Sequence, residues 1–563
     1  MPDTDKSILS RREWMKFAVP VAAASTGAGL LAARAFADGP PAANDNSLGA
    51  RIYNIRDFGA VGDGKTLDTA AVQAAIAACT KDQGGVVLVP AGVFVIGTVE
   101  MKSNVTLRIA AGGKLLGSGD GKQYYAAEAI PLSGDATLGD GHVGLIFAVN
   151  AVNITIEGPG TIDGNGALFR SAVRGELPPS GRGGADRPYH LLFYRCQNLR
   201  VRDLFLVASA YHSIRIIESQ FVWLTGLHIY NRVNGNNDGF HFISAEYLHV
   251  ENCDVQSQDD ACALFGSCKF VTVTNSTFST RWSVFRFIGG NPENITISNC
   301  VVYETWGCPI KMQFWGSSQV QNLLFSDLIF KDVTGPISIN INPSRGRGAE
   351  AAAAEPGGFV RNLTFQNIRA TVVAEPWPIE DIPIPMGFRP GEMRQCVVLN
   401  CLAGAVLENV NFDNFHATFG GGGTAEEALR EVPQIANEYF EIGTPPVYGI
   451  FARNVRGLTL NNVRFEVEKP DLRPAVMLNR VSNVAVNGIS MDGNPQAASV
   501  LRLVETSEIL ISAARLLTPA KVFLQVEGAG SKDIVIDRGD LTKAAAPASF
   551  MNGAGKDAVK WRV

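Results

Sequence analysis

A pattern of four small or apolar positions recurs along the chain, spaced +2, +3 and +2 with polar residues between. It stands as Leu199, Val201, Leu204 and Leu206, and returns with first positions Val222, Leu248, Val271, Ile295, Leu323, Leu363, Val410, Leu458, Val484, Ile509 and Ile534. Successive starts lie 23, 26, 23, 24, 28, 40, 47, 48, 26, 25 and 25 residues apart. Alternation of period two predicts strands, and the +3 step predicts a bend between two of them. Repeats of ~20–30 residues with several short strands and few helices predict an all-β chain coiled as a parallel β-helix. A β-sandwich of hairpins would show Asn-Gly and Asp-Gly turns at hairpin spacing, and these do not recur regularly. A linear stack also accommodates 563 residues without a second core.

Residues 51–563 are therefore expected to form one solenoid domain. Near its start, Asp68-Thr69 is expected to cap a helix with the apolar face Val72, Ala75, Ile76 and Cys79, which would close one end of the stack. Gly59 to Thr66 matches the phosphate-loop pattern G-x-x-x-x-G-K-T. The apolar run before it is too short and too charged for a buried central strand, so a nucleotide site is not expected. The three long intervals must hold insertions, near 343–360, 374–395 and 419–447. Loops leave the same corner of successive rungs, so they are expected to wall one side of whatever that corner carries. Five prolines between 376 and 390 would stiffen the second loop, giving a pocket that accepts a chain end.

The first 37 residues read as an address. Arg11-Arg12 is followed by an apolar run from Phe17 to Ala33 and then by Ala35-Phe36-Ala37, the small residues of a cleavage site. The run is weakly hydrophobic and shorter than the ~20 residues of a membrane span. A twin-arginine signal is expected, then a linker over 38–50, with the mature chain periplasmic or extracellular and off the membrane. A net charge of −5 and the lack of basic runs argue against a nucleic-acid partner. Nine cysteines without a C-x-x-C favour buried thiols over a zinc site. Nothing fixes the oligomeric state.

Candidate chemistry concentrates between Asn236 and Met312. Asp238 lies 10 residues before Leu248, Asp260 and Asp259 lie 11 and 12 before Val271, and Arg286, Ser283 and Arg281 lie 9, 12 and 14 before Ile295. Lys311 lies 12 before Leu323 and His212 lies 10 before Val222. Consecutive rungs thus offer polar groups at one phase, ~4.8 Å apart from strand to strand. Crowded carboxylates raise at least one carboxyl pKa, which suits a general acid while a partner stays ionised as base. Glycoside hydrolysis needs such a pair. A solvated acidic ladder or a calcium site is the plainer alternative. Calcium wants several oxygens about one point, a poorer match for three aspartates among cations, so no metal or cofactor is expected. Trp282, Trp306 and Trp315 are candidates to stack on sugar faces, and His212 and His241 to bond sugar hydroxyls.

The stretches DFGAVGDGKTLDT, GPGTIDGNG, NNDG and DDACAL resemble glycoside hydrolase family 28, the polygalacturonase and rhamnogalacturonase group. That resemblance implies a right-handed parallel β-helix and an inverting hydrolase of pectic or other acidic plant-type glycans. Asn236-Asn237-Asp238 resembles the family's Asn-Thr-Asp motif, and Asp259-Asp260 its Asp-Asp pair. The likeness implies Asp259 as general acid, with Asp238 and Asp260 holding and activating the water. Lys311 carries over from an Arg-Ile-Lys motif whose arginine is Pro309 here, leaving Arg281 or Arg286 to replace it. Where the family has Gly-His-Gly, this chain has Thr280-Arg281-Trp282, and His241 stands where polygalacturonases often have an aspartate. A polysaccharide lyase or a non-catalytic glycan-binding solenoid remain rival readings on the same fold.

Overall fold

The computed structural model describes residues 48–131, 141–171, 176–344, 357–383 and 389–562. The expected signal and most of the linker lie outside these residues, as do most of 343–360 and part of 374–395. The described chain is a right-handed parallel β-helix. Every strand-to-strand pairing is parallel apart from one isolated bridge, and the strands form two long sheets.

The first apolar position of each repeat pairs with the first position of the next. Leu199 pairs Val222, which pairs Leu248, then Val271, Ile295, Leu323 and Leu363. The run continues through Val410, Leu458, Val484 and Ile509 to Ile534. All are buried, so one core runs the length of the stack. The 40-, 47- and 48-residue intervals keep this register.

The +3 step has a backbone cause. The second of its two intervening residues takes positive φ, as in Asp203, Asn252, Asn275, Asn299, Asp327, Asn367, Asn414 and Asn462. Asn and Asp tolerate this left-handed region better than other non-glycine residues. One such residue turns the strand and keeps apolar side chains inward on both arms. Neighbouring asparagines also bond along the stack, from Asn409 to Asn362 at 3.3 Å, Asn362 to Asn322 at 3.1 Å and Asn322 to Asn294 at 3.0 Å.

The helix Thr69–Lys81 buries Val72, Ala75, Ile76 and Cys79 at the first rungs, as expected. Its cap differs. Asp68 is the N-cap residue, but its carboxylate accepts from the backbone N–H groups of Val61 at 2.7 Å and Gly62 at 3.0 Å. Asp63 likewise accepts from Lys65 and Thr66. The loop resembling a phosphate cradle spends these amides on the chain's own carboxylates. All nine cysteines are buried and free, and burial raises their thiol pKa values, so they behave as small apolar groups.

Candidate active site

The polar groups gather at one corner of the coil, where each rung enters the second sheet. The strands Ile214–Ile217, Phe240–Ile243, Cys262–Phe265, Ser283–Ile288 and Cys308–Trp315 lie side by side there. Phe240 pairs Cys262, Cys262 pairs Phe285, and Ser283 pairs Cys308. Two residues upstream on successive rungs this places His212, Asp238, Asp260 and Ser283 in one line. Lys311 falls in a second line, with Arg215, His241 and Arg286. The two phases read together in the sequence are thus two neighbouring ladders.

The turn carrying Asp238 is fixed before any substrate arrives. Asn237 is fully buried; its amide oxygen accepts from Val233 at 2.9 Å and Asn234 at 2.6 Å, and its amide nitrogen donates to the carbonyls of Tyr211 and Ser209. The Asn237 carbonyl accepts from the N–H of Gln258 and of Asp259, locking this turn to the next. Gly239 then passes so close that a Cβ there would sit 2.5 Å from the Ala261 carbonyl oxygen. Arg187, unmarked by any motif or repeat phase, donates to the carbonyls of Ala210 and Gly235 and holds the same turn.

Asp238 is buried beside two histidines. His241 Nδ1 lies 2.8 Å from its Oδ2 and His212 Nε2 lies 3.7 Å from its Oδ1. The imidazoles stack with centroids 4.4 Å apart, and burial lowers both pKa values well below the usual range, which favours the neutral rings. Each is almost fully buried, so their place is beneath Asp238, orienting it, and the expected contacts to sugar hydroxyls are not what this geometry provides. Arg215, also missed from the sequence, is buried next to His241 in register and over the Tyr189 ring. The ligand atoms of His212, Asp238 and His241 lie within 4.8 Å of one another, a set able to hold a cation.

Asp259 and Asp260 meet on the next rung. Asp259 keeps partial exposure; its Oδ1 accepts from the N–H of Asp260 at 2.9 Å and its Oδ2 from Asn236 at 3.3 Å. Burial first, and the Asp260 charge second, push its pKa up to about 7, with Lys311 pulling the other way. Burial also raises Asp260, while Lys311, Arg286 and the Ser283 hydroxyl that donates to its Oδ1 favour the ionised form.

The cations separate into two groups. Arg286 donates to Gln313 and to Glu438 Oε1, each at 2.9 Å, and Lys311 lies 3.3 Å from Glu438 Oε2. Arg281 instead pairs with the buried Glu392 at 3.2 Å and packs over the Trp306 ring at 4.0 Å. Of the two candidates for the missing motif arginine, Arg286 is therefore the one beside Lys311. Trp306 is corrected outright: it has 0% exposure and packs against Ile379 and Ile382, so it is core beneath a loop and no sugar platform. Trp282 stays partly exposed, with Lys311 4.3 Å and Arg389 4.7 Å from its ring centre.

Two insertions bring their own residues to this corner. From 374–395 come Glu392 and Asp381, whose carboxylate bonds Arg232 through both oxygens at 2.7 Å and Tyr230 at 2.9 Å. From 419–447 come Glu438, Tyr439 and Phe440, the last two with ring centres 6.0 and 6.1 Å from that of Trp282. These acids carry no repeat phase. Their one sequence signal is residence in insertions placed just after the polar rungs.

Comparison with known proteins agrees with the geometry. The sequence profile described as "Glycosyl hydrolases family 28" matches residues 79–380, which include the three aspartates and Lys311. A "Probable polygalacturonase" of Vitis vinifera is 26% identical over 332 residues, 57% of this chain and 62% of that protein, so the match spans under two thirds of its length. An "Exo-poly-alpha-D-galacturonosidase" of Dickeya chrysanthemi is 29% identical over 283 residues, 40% of this chain and 45% of that protein. Among solved structures, a family 28 exopolygalacturonase of Yersinia enterocolitica aligns with a TM-score of 0.54 and 21% identity, covering 77% of this chain and 78% of its own, a likeness of fold.

Proposed function

The chain belongs to glycosyl hydrolase family 28, and on that premise we propose that it is an exported, inverting glycoside hydrolase of a pectic or related acidic plant-type glycan. The observation that carries the reading is the Asp259–Asp260 pair: burial raises both carboxyls, Asp259 to about 7, and Lys311, Arg286 and Ser283 offset part of that rise at Asp260. Adjacent carboxyls in unequal surroundings divide into acid and base. Asp259 gives its proton to the glycosidic oxygen as the bond from the anomeric carbon to that oxygen breaks. Asp260, with Asp238 held by His241, takes a proton from the water whose oxygen bonds the anomeric carbon on the opposite face.

The residues that 374–395 and 419–447 bring to this corner, Asp381, Glu392 and Glu438 among them, support an exo-acting enzyme that releases one or two sugars from a chain end. So does the resemblance to the Dickeya chrysanthemi protein, an exo-poly-alpha-D-galacturonosidase by name. Export rests on the twin arginine and apolar run of the first 37 residues. No helix among the described residues is long and apolar enough to cross a membrane.

The test is substitution with product analysis. Asp259→Asn and Asp260→Asn are each expected to lower turnover at least ~10²-fold with the fold intact. Products are expected to be saturated, of inverted configuration, and mono- or disaccharide from the first minutes. Unsaturated products would assign the site to a lyase, and early mid-sized fragments would mean an open groove.

A further inference from the structure

We propose that Glu438 sets specificity at this site: its carboxylate fills the place over Arg286 and Lys311 that a substrate carboxylate would take, so the sugar bound there is uncharged. The inference rests on the hydrolase reading above and names which sugar class one subsite accepts. Glu438 divides its oxygens between the two cations, Oε1 to Arg286 at 2.9 Å and Oε2 to Lys311 at 3.3 Å. The Lys311 side chain has no exposure, that of Arg286 3% and that of Glu438 13%, so water screens these charges little. A uronate arriving here meets two cations already serving one carboxylate, Glu438, whose charge also acts on nearby Asp260. Like-charge crowding of that kind rejects a ligand. A neutral sugar brings hydroxyl donors, which Glu438 accepts.

Glu438 is also held in place. Its neighbour Tyr439 donates to Glu392 Oε1 at 2.9 Å, and Asn437 donates to Glu441 at 3.1 Å. Tyr439 and Phe440 pack on Trp282. Moving the Glu438 carboxylate aside would strip two buried cations of their carboxylate, so its position belongs to the resting site.

Two probes decide the matter: α-1,4-linked trigalacturonic acid and its methyl ester, in which each carboxylate becomes a neutral and slightly larger group. Binding is measured by calorimetry on Asp259→Asn, whose turnover is expected to be at least ~10²-fold lower, with and without Glu438→Gln. Asp259→Asn is expected to bind the ester about tenfold more tightly than the acid, and the double variant to gain about tenfold for the acid, the scale of one charge-assisted contact. Equal binding of the two probes by Asp259→Asn overturns the proposal without recourse to the second variant. No gain for the acid in a double variant that keeps its unfolding midpoint overturns it as well. Turnover by the unsubstituted protein is read separately. The predicted binding order without hydrolysis would sink the hydrolase reading alone, and hydrolysis without that order would sink only the role of Glu438.

Discussion

Activity should fall across neutral pH along a limb set by Asp259. Burial and the Asp260 charge push its carboxyl up to about 7, against the pull of Lys311. At that value about nine-tenths of molecules carry the catalytic proton at pH ~6, about half at pH ~7 and about a tenth at pH ~8. The slope of log kcat/KM should therefore approach about −1 per pH unit on the alkaline side, since kcat/KM follows ionisation of the free enzyme. Lys311→Met keeps the stem and removes the cation that lowers both Asp259 and Asp260, so the limb should move to higher pH while the plateau falls. The assay is initial rate at substrate well below KM, from about pH 4 to about pH 9 at constant ionic strength. An alkaline limb centred near pH ~4, that of an ordinary carboxyl, would refute the assignment of Asp259 as the acid. So would a limb unmoved in Lys311→Met.

Stability should carry the same signature with a defined sign. The folded Asp259 pKa is raised, so its contribution is fully present below about pH 4, declines as pH rises to about 7 and is flat above; Asp259→Asn should remove that slope in denaturant titrations. Trp306→Ala should cost about 3–5 kcal/mol in urea unfolding, the range for a buried large aromatic, and a loss under about 1 kcal/mol would mean the ring is not core. Asp381→Asn should cost about 1–2 kcal/mol, discounted because the Asp381 side chain is 37% exposed, and should speed proteolytic cleavage within 374–395; an unchanged cleavage rate would mean the loop is held elsewhere. Treatment with a chelator should leave turnover unchanged, because His241 already bonds Asp238; loss of activity restored by a divalent ion would assign His212, Asp238 and His241 to a metal.

The solenoid was legible because its cause is local and repeated. Two apolar pairs flanking a residue that tolerates positive φ recur with each rung, and every first position read from the sequence lies in register with the next. The aspartates were legible for the same reason, being fixed in phase to that repeat. What lies in the insertions was not. Glu438, Glu392 and Asp381 reach the corner through loops with no period, and their partners are settled by three-dimensional closure. Trp306 was misread on that account: it stands at a corner the repeat leaves open, and Ile379 and Ile382 cover it from a distant loop. Arg281 and Arg286 are five residues apart on one rung, yet one pairs with Glu392 and the other with Glu438, a division no spacing announces.

The loop contacts also impose a sequence in time. Rungs of a coil touch only their neighbours, so folding can spread from one rung to the next wherever it begins. The pairs Arg232–Asp381, Arg286–Glu438 and Lys311–Glu438 bridge 149, 152 and 127 residues. A growing chain that has passed Lys311 can stack its three aspartates, but Arg286 and Lys311 must wait for Glu438, and Arg232 for Asp381. The corner is finished only after several further rungs have been laid down. Proteolysis of a partly folded chain should accordingly find 374–395 and 419–447 open while the coil upstream already resists cleavage.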